Sequence, residues 1–407
     1  MAALQPYHAA PTFFIPASVL ERSPSLIRRI QRVGAEIGIH GYVHNDYRTL
    51  TQDAQANQTR QAITVFNREH VTFEGFRNPY LGWDEASLEV FRACGFRYDS
   101  NEAVIHDVVP VNDLAPALAD SFARSLKLFQ AIPCTEYNLR PHSEDGLARI
   151  PLSIPDDEML YDRLQITDSQ RLGDVWRAVM RRVYDLGGIY VLNLHPERGL
   201  LARGALDLLL RQADELALPV WVTRLRDVSD WWRERAATKL RVTAVGDGHW
   251  RIALTGSPRA TLLTRHLTVE DAATAPWPGG DSMAAGQACS VAAAAFPGVA
   301  LSQRSSGEVE RMLLEQGYAV MRVASEAQAG GSVYVDRPDG LGATRAERQQ
   351  TASALVRQIE QGAAPLARIG VWPDGRRAAL SITGDIDSVT IQDFFLRILE
   401  VRRYAVA

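Results

Sequence analysis

Short apolar runs alternate with helical patterns over the first 236 residues, and this alternation limits the fold more than any other feature of the sequence. The runs PTFFIPA, AEIGIHG, TFEGFRNPY and GIYVLNLHP read as strands. Segments such as DAQANQTRQAITVFNRE and DVWRAVMRRVYDLGG read as the helices between them. Strands that alternate with helices predict an α/β protein with a parallel sheet, and a sheet of this kind can curl into a barrel.

Polar side chains stand where several of these strands end. They are His40, Arg77, Asp99 and His195. The carboxyl ends of parallel strands meet at one edge, which is where barrel enzymes place their catalytic groups. We therefore expect these side chains to share one face of the fold.

The remainder of the chain changes character after residue 236. Residues 237–267 alternate apolar and polar residues around turns, which predicts a small antiparallel β unit. Residues 268–298 are rich in Ala, Gly, Ser and Pro and are expected to form a linker. Residues 299–370 read as an α/β segment, and residues 371–407 as a strand followed by a helix.

Composition excludes several classes of partner. A formal net charge of −4 gives no basic field for nucleic acid and no polybasic patch for a membrane surface. The three cysteines are widely separated, so we expect reduced thiols rather than a disulfide framework. No apolar run is long enough for a membrane span, and the first residues do not form a signal peptide. The cytoplasm is thus the default expectation, the cell envelope stays open if residues precede Met1, and the oligomeric state is not predicted.

The stretch EIGIHGYVHNDY contains two histidines four residues apart, His40 and His44. On a helix or a tight helical turn, this spacing lets both imidazoles reach one metal ion. A pair of this kind on its own is a weak signal, and surface histidines or histidines satisfied in the core are the more common explanation. The spacing alone does not decide between these interpretations.

Four segments in order resemble the NodB-type polysaccharide deacetylases, a carbohydrate esterase family 4-like group. These segments are TFFIPA, AEIGIHGYVHNDY, FRNPYLGWDEASLEVFRACGFRYDS and VLNLHPE, and the resemblance extends over about residues 5–235. It implies a distorted (β/α) barrel and a divalent metal ion bound by His40 and His44. It also implies that Arg77 orients the catalytic base, that the backbone N–H near Tyr80 stabilises the oxyanion, and that His195 is the general acid.

One family motif departs from its usual form. IPLSIPDDE occupies the place of an aspartate that precedes a tryptophan. Asp156 or Asp157 is expected to orient His195, with Asp157 preferred. The departure also removes an aromatic residue that lines the acetyl pocket, for which Trp83 is a candidate substitute or a core residue.

The family's first motif, a strand ending in two aspartates, does not precede TFFIPA in this chain. ALSITGDIDSVT, near the other end, resembles that motif and supplies Asp385 as the catalytic base and Asp387 as the third metal ligand. In one interpretation this strand completes the barrel, as in a circular permutation, so that both aspartates face the histidine pair. In another, the chain is a fragment whose C-terminal strand begins a truncated second copy. In the third, TGDID is an ordinary acidic turn.

The sequence therefore predicts a metal-dependent hydrolase that removes N-acetyl groups from an amino-sugar polymer or glycan. Zinc is the first choice of metal, and cobalt and nickel also suit two imidazoles and a carboxylate. A non-catalytic carbohydrate-binding or truncated inactive barrel and a deacylase of a non-carbohydrate amide are the alternatives.

Overall fold

The chain forms two compact units in a computed structural model that describes residues 2–404. Within that range, the first unit comprises residues 2–134, 139–230 and 378–404. The second unit comprises residues 135–138 and 231–377. The C-terminal residues thus belong to the same unit as the N-terminal residues.

The first unit alternates strands and helices, as predicted. Its strands up to residue 222 are β1 (Thr12–Ile15), β2 (Glu36–Ile39), β3 (Gly75–Phe76), β4 (Tyr98–Asp99), β5 (Ala103–Ile105), β6 (Ile132–Pro133), β7 (His142–Glu144), β8 (Leu147–Arg149), β9 (Leu152–Ile154), β10 (Ile189–Leu194) and β11 (Val220–Val222). Its helices are α1 (Ala17–Arg22), α2 (Pro24–Arg32), α3 (Gln52–Arg68), α4 (Glu85–Ala93), α5 (Pro116–Leu128), α6 (Ser169–Leu186) and α7 (Gly199–Glu215), and α8 (Leu225–Ala237) continues into the second unit.

The second unit is largely β-structure. It contains β12 (Lys239–Gly246), β13 (His249–Thr255), β14 (Leu262–Arg265), β15 (Thr268–Val269), β16 (Thr274–Trp277), β17 (Asp281–Ala284), β18 (Ala288–Ala292), β19 (Val299–Ser302), β20 (Val320–Val323), β21 (Val333–Val335) and β22 (Leu366–Ile369), with helices α9 (Gly307–Glu315) and α10 (Arg345–Gln361). The chain then returns to the first unit with β23 (Ala378–Asp385) and α11 (Ile391–Tyr404).

Local sequence signals account for several helix ends of the first unit. The Thr51 side chain accepts a hydrogen bond from the backbone N–H of Ala54 and begins α3. Asp84 and Ser87 form a reciprocal capping box at the start of α4. Gly187 ends α6 in the left-handed conformation, with φ of 67°.

The strand β23 is an internal strand of the main sheet of the first unit, between β10 and β1. The strands of that sheet follow the order β10-β23-β1-β2-β3-β4-β8-β7, and β11 also pairs with β23. β23 is parallel to both β10 and β1, with Leu194 opposite Gly384 and Phe14 opposite Asp385. All its residues are buried, as expected for a parallel strand covered on both faces. The interpretation of TGDID as an ordinary acidic turn is therefore wrong.

The sheet is curled and its hydrogen-bonded ladder is open between β10 and β7 within residues 2–404. A separate three-stranded sheet, β6-β5-β9, places β9 alongside β10. The predicted α/β class is therefore confirmed. In the described part of the chain, the hydrogen-bonded strands do not close into the predicted barrel. One hydrophobic core cluster of the first unit includes side chains from β1, β2, β3 and helices α1 to α4, among them Ile15, Ile39, Phe66, Phe76 and Phe91.

The prediction of a linker at residues 268–298 is wrong, because this segment forms the strands β15 to β18. β18 pairs with β13 and places Cys289 opposite Ile252, both of them fully buried. β17 pairs with β14 and β16. Ala, Gly and Ser have little intrinsic tendency to form strands, but backbone pairing with neighbouring strands decides the conformation here.

All three cysteines of the sequence are free thiols in the structure. Among the helices of residues 2–404, none has the length and apolar character needed to cross a membrane.

The burial of β23 leads to a first prediction. Leu380 is fully buried between Tyr190 of β10 and Val222 of β11, so Leu380→Ala should lower the free energy of unfolding by about 2–5 kcal/mol. The matched control is Leu399→Ala on α11, where the side chain is 61% exposed and the change should cost less than about 0.5 kcal/mol. Chemical denaturation measures both variants. Equal stabilities would contradict the placement of β23 in the core.

Candidate active site

The histidine pair flanks a bend rather than lying on a helix. His40 follows β2 directly, and Gly41 is left-handed, with φ of 80°. A Cβ atom on Gly41 would lie only 2.9 Å from the carbonyl oxygen of Val43, so the bend requires glycine. The helical turn expected from the spacing is therefore wrong. The bend nevertheless brings the rings of His40 and His44 to a centroid distance of 5.2 Å.

Asp387 lies against this pair although it is more than 340 residues away in sequence. The Nε2 atom of His44 is 3.2 Å from Asp387 Oδ2, and the Nε2 atom of His40 is 3.6 Å from Asp387 Oδ1. One ligand atom from each residue lies within 4.8 Å of the other two. The structure thus brings together the three residues that the sequence nominated as metal ligands.

The donor set suits a divalent cation. The Nδ1 atom of His40 lies 2.8 Å from the carbonyl oxygen of Arg77. A carbonyl can only accept, so Nδ1 carries the proton and Nε2 is left with its lone pair. Burial lowers the pKa of His40, which favours the neutral ring that binds metal. Burial by itself would raise the pKa of Asp387. The neighbouring His44 and His40 have a larger effect, so the net pKa is lowered and the carboxyl is ionised. Asp387 Oδ1 is buried without a hydrogen-bond partner among the described residues.

Asp385 forms a buried ion pair with Arg77. The Nη1 atom of Arg77 donates to Asp385 Oδ1 at 3.1 Å, and the Arg77 side chain is completely buried. Burial raises the pKa of Asp385, but the Arg77 guanidinium and His40 outweigh it and leave that pKa below its ordinary value. Asp385 is therefore an ionised carboxylate at neutral pH.

Three residues that the sequence analysis did not single out complete this network. Asn193 Nδ2 donates to the second oxygen of Asp385 at 2.9 Å. Arg77 also donates to Asn193 Oδ1, to Thr383 Oγ1 and to both Ser100 oxygens. Asn193 stands two residues before His195, and the two-residue period of a strand could have indicated a shared face. Ser100 carries no comparable signal.

His195 is held by Asp157 rather than by Asp156. Asp157 Oδ1 lies 2.7 Å from His195 Nδ1, and its Oδ2 accepts from the backbone N–H of His195 at 2.7 Å. Burial lowers the pKa of His195, but Asp157 outweighs it and raises that pKa well above the ordinary histidine value. Asp156 instead accepts from the backbone N–H of Met159 at 2.9 Å, and burial raises its pKa to about 7.

The remaining candidates occupy different surroundings. Tyr80 is left-handed, with φ of 58°, and its ring meets the His44 ring edge-on at 4.6 Å. Trp83 packs against the apolar core, with the guanidinium of Arg149 4.3 Å from its ring centroid. Asp99 is buried and forms an ion pair with Arg149 Nε at 2.5 Å. Asp99 and Trp83 therefore contribute to a structural cluster around Arg149.

The aspartates of β23 and its following loop, Asp385 and Asp387, interact electrostatically with His195. The charge of His195 lowers the pKa of both Asp385 and Asp387, and Asp385 in turn raises that of His195. His40 follows β2, His195 follows β10, and Asp385 and Asp387 end or follow β23. The ends of β2, β10 and β23 thus place His40, His44 and Asp387, the fixed carboxylate of Asp385 and the protonated ring of His195 at one edge of the main sheet.

Comparisons with known proteins bear on the N-terminal part of this site. Residues 1–98 match the polysaccharide deacetylase family model. The curated peptidoglycan deacetylase-like protein FGM2 of Gibberella zeae is 33% identical over 93 residues, which are 22% of this chain and 27% of that protein. The resemblance to NodB-type polysaccharide deacetylases is confirmed.

The likeness to solved structures is partial. A probable polysaccharide deacetylase from Pseudomonas aeruginosa PAO1 is 17% identical, with 57% of this chain and 70% of that chain covered at a TM-score of 0.44. A family 4 carbohydrate esterase from Streptomyces lividans, in complex with acetate, is 16% identical, with 37% and 69% covered at a TM-score of 0.24. His40, His44 and Arg77 lie inside the segment that matches the family model. His195, Asp385 and Asp387 lie outside it, and only the structure relates them to it.

The contact between Asp157 and His195 leads to a second prediction. Asp157→Asn removes the charge that holds the His195 proton, so the pKa of His195 should fall toward its ordinary value. NMR titration of the imidazole Cε1–H in chelator-treated protein measures this change. Asp162→Asn is the control, because Asp162 is 47% exposed and pairs with Arg198. A His195 pKa that is the same in Asp157→Asn and in the unaltered protein would contradict the assignment.

Proposed function

We propose that this chain is a metal-dependent hydrolase that removes N-acetyl groups from an amino-sugar glycan. The observation that carries the proposal is the arrangement at the strand ends. His40, His44 and Asp387 form one compact set, and Asp385, fixed by Arg77, stands beside it. The confirmed family resemblance suggests deacetylation of a carbohydrate, and this geometry supports the metal and the roles of the individual residues.

The metal would be held by His40, His44 and Asp387. Two imidazole nitrogens and one carboxylate leave further coordination positions open, which is the pattern of a catalytic rather than a structural site. A divalent ion there would lower the pKa of a water molecule and polarise the acetyl carbonyl. Zinc is the first candidate for a set of this composition, and cobalt or nickel would also fit.

Asp385 would act as the general base. Its two oxygens accept hydrogen bonds from Arg77 and Asn193, so the carboxylate is fixed in position and ionised. It would take a proton from the water that attacks the acetyl carbonyl. Arg77 would orient this base and keep it charged, without itself transferring a proton.

His195 would act as the general acid. Its Nδ1 is committed to Asp157, so Nε2 is the nitrogen that can face a substrate. The raised pKa keeps the ring protonated at neutral pH. As the C–N bond of the amide breaks, Nε2 would donate its proton to the leaving nitrogen, and the products are acetate and a free amine.

The backbone N–H of Tyr80 would donate to the oxyanion of the tetrahedral intermediate. The contact between the Tyr80 and His44 rings supports this role, because His44 is one of the proposed metal ligands. A fixed backbone donor needs no reorganisation as negative charge develops on the carbonyl oxygen.

The position of Asp385 also bears on the non-catalytic alternative. A barrel without a working base would leave Arg77 without this carboxylate, whereas here the two form a buried pair. This pairing favours catalysis over a purely binding role. A deacylase of a non-carbohydrate amide would use the same groups, and only the choice of substrate separates it from the glycan deacetylase.

The metal site leads to a third prediction. The unaltered protein should bind about one divalent ion per chain, and His44→Ala or Asp387→Asn should remove it, because each loses one of three ligands. Elemental analysis after dialysis measures the content. His249→Ala is the control, since its side chain is 54% exposed and lies in the second unit. Equal metal content in all four proteins would defeat the metal assignment.

The catalytic roles lead to a fourth prediction. With chitin oligosaccharides as substrates, His195→Ala and Asp385→Asn should each lower the rate of acetate release by roughly 10²- to 10⁴-fold, the usual contribution of a general acid or base. His195→Ala should retain its metal. Near-normal turnover in either variant would refute the assigned role. Release of acetate from simple N-acetyl amines but not from any glycan would favour the non-carbohydrate deacylase.

A further inference from the structure

A guanidinium from the C-terminal helix reaches the candidate metal centre. Arg397 lies on α11, and its Nη1 atom is 2.9 Å from Asp387 Oδ2. The Arg397 side chain is 26% exposed, and its guanidinium carbon lies 5.2 Å from the centroid of the Phe394 ring. None of the sequence motifs that nominated the site includes this residue.

The two oxygens of Asp387 have different surroundings. Oδ2 accepts the hydrogen bond from Arg397 and also lies 3.2 Å from His44 Nε2. Oδ1 has no hydrogen-bond partner among the described residues and faces His40 Nε2 at 3.6 Å. A carboxylate held through one oxygen has a fixed orientation, so the contact with Arg397 keeps Oδ2 beside His44 and Oδ1 directed at His40.

Arg397 is itself held in position by the docking of α11. Asp387 stands two residues beyond β23, in a loop without regular secondary structure. Asp393 accepts hydrogen bonds from two backbone N–H groups of that loop, at Val389 and Thr390, and forms an ion pair with Arg22 of α1. Arg22 also pairs with Glu400 on α11. The loop and the helix are thus tied to each other and to α1.

A second candidate ligand, His40, is also held in orientation by a hydrogen bond to a neighbouring group. His40 is oriented from behind by the carbonyl oxygen of Arg77, which holds its Nδ1 proton. Groups that orient a metal ligand in this way typically contribute 10- to 100-fold to metal affinity. We propose that Arg397 is a positioning residue of the metal centre that holds Asp387 in its ligand orientation. This inference rests on the proposed function, since it presupposes the ion.

The charge of Arg397 alone would have the opposite effect. A guanidinium repels a divalent cation, so a purely electrostatic role predicts that removing it would tighten metal binding. Partial exposure of the Arg397 side chain weakens that repulsion through solvent screening. The direction of the change in affinity therefore distinguishes orientation from repulsion.

The experiment compares the affinity for zinc ions alone of the chelator-treated unaltered protein and of four variants, Arg397→Gln, Arg397→Lys, Arg402→Gln and His44→Ala. Arg397→Gln should weaken zinc binding roughly 10- to 100-fold, and Arg397→Lys, which can still donate to Oδ2, should restore part of the loss. Arg402→Gln is the matched control, because Arg402 lies exposed on the same helix and its replacement changes the net charge equally. Isothermal titration calorimetry gives the affinities, and the absorption spectrum of the cobalt-loaded proteins reports the coordination geometry.

Each outcome has a separate meaning. Zinc binding by Arg397→Gln that is as tight as in the unaltered protein, or tighter, would overturn the role of Arg397 and leave the metal centre intact. A loss that Arg397→Lys does not reduce, or that Arg402→Gln shares, would also overturn it. Zinc binding by His44→Ala equal to that of the unaltered protein would instead overturn the metal site itself and the proposed function.

Discussion

The candidate site depends on the parallel pairing of β23 between β10 and β1. Without β23, the facing edges of those two strands would present unpaired backbone donors and acceptors inside the first unit. The pairing satisfies these groups and also fixes the register, which sets Asp385 opposite Phe14, one residue before the end of β1. Gly384 allows the close approach, because a Cβ atom there would lie 2.6 Å from the carbonyl oxygen of Leu194. Backbone hydrogen bonding therefore delivers both aspartates to the histidine pair.

Charge compensation at this edge explains why so many polar groups can be buried together. Removing a carboxylate from water costs several kcal/mol unless it is paired and fully hydrogen-bonded. Asp385 is paired with Arg77 and accepts hydrogen bonds from Arg77 and Asn193. The buried Arg77 guanidinium is in turn paired with Asp385 and donates further hydrogen bonds to Thr383 and Ser100. Buried ion pairs often stabilise a fold no better than apolar side chains of similar size. The network is therefore better understood as a means of fixing a reactive carboxylate than as a source of stability.

The elements of the first unit could be predicted because their signals are local. Helix caps such as Asp84, and apolar runs such as TFFI, act within a few residues of the chain. The sequence predictions that proved wrong also have physical causes. Residues 268–298 look like a linker by composition, but they become strands because neighbouring strands supply partners for their backbone groups. The histidine pair meets across a bend at Gly41, where side-chain spacing alone suggested a helical turn.

The sequence by itself determined which residue types were available and which strand ends they follow, and the order of its motifs nominated His40, His44, Arg77 and His195. The sequence also favoured Asp157 over Asp156 as the partner of His195, but it could not show the contact between them. Only the tertiary structure decided where the C-terminal aspartates lie, which carboxylate meets His195, and that Asn193 and Arg397 join the site. The physical reason is the range of the interactions involved. Caps and periodicities operate over a few residues, whereas strand pairing and side-chain contacts join residues that are hundreds of positions apart.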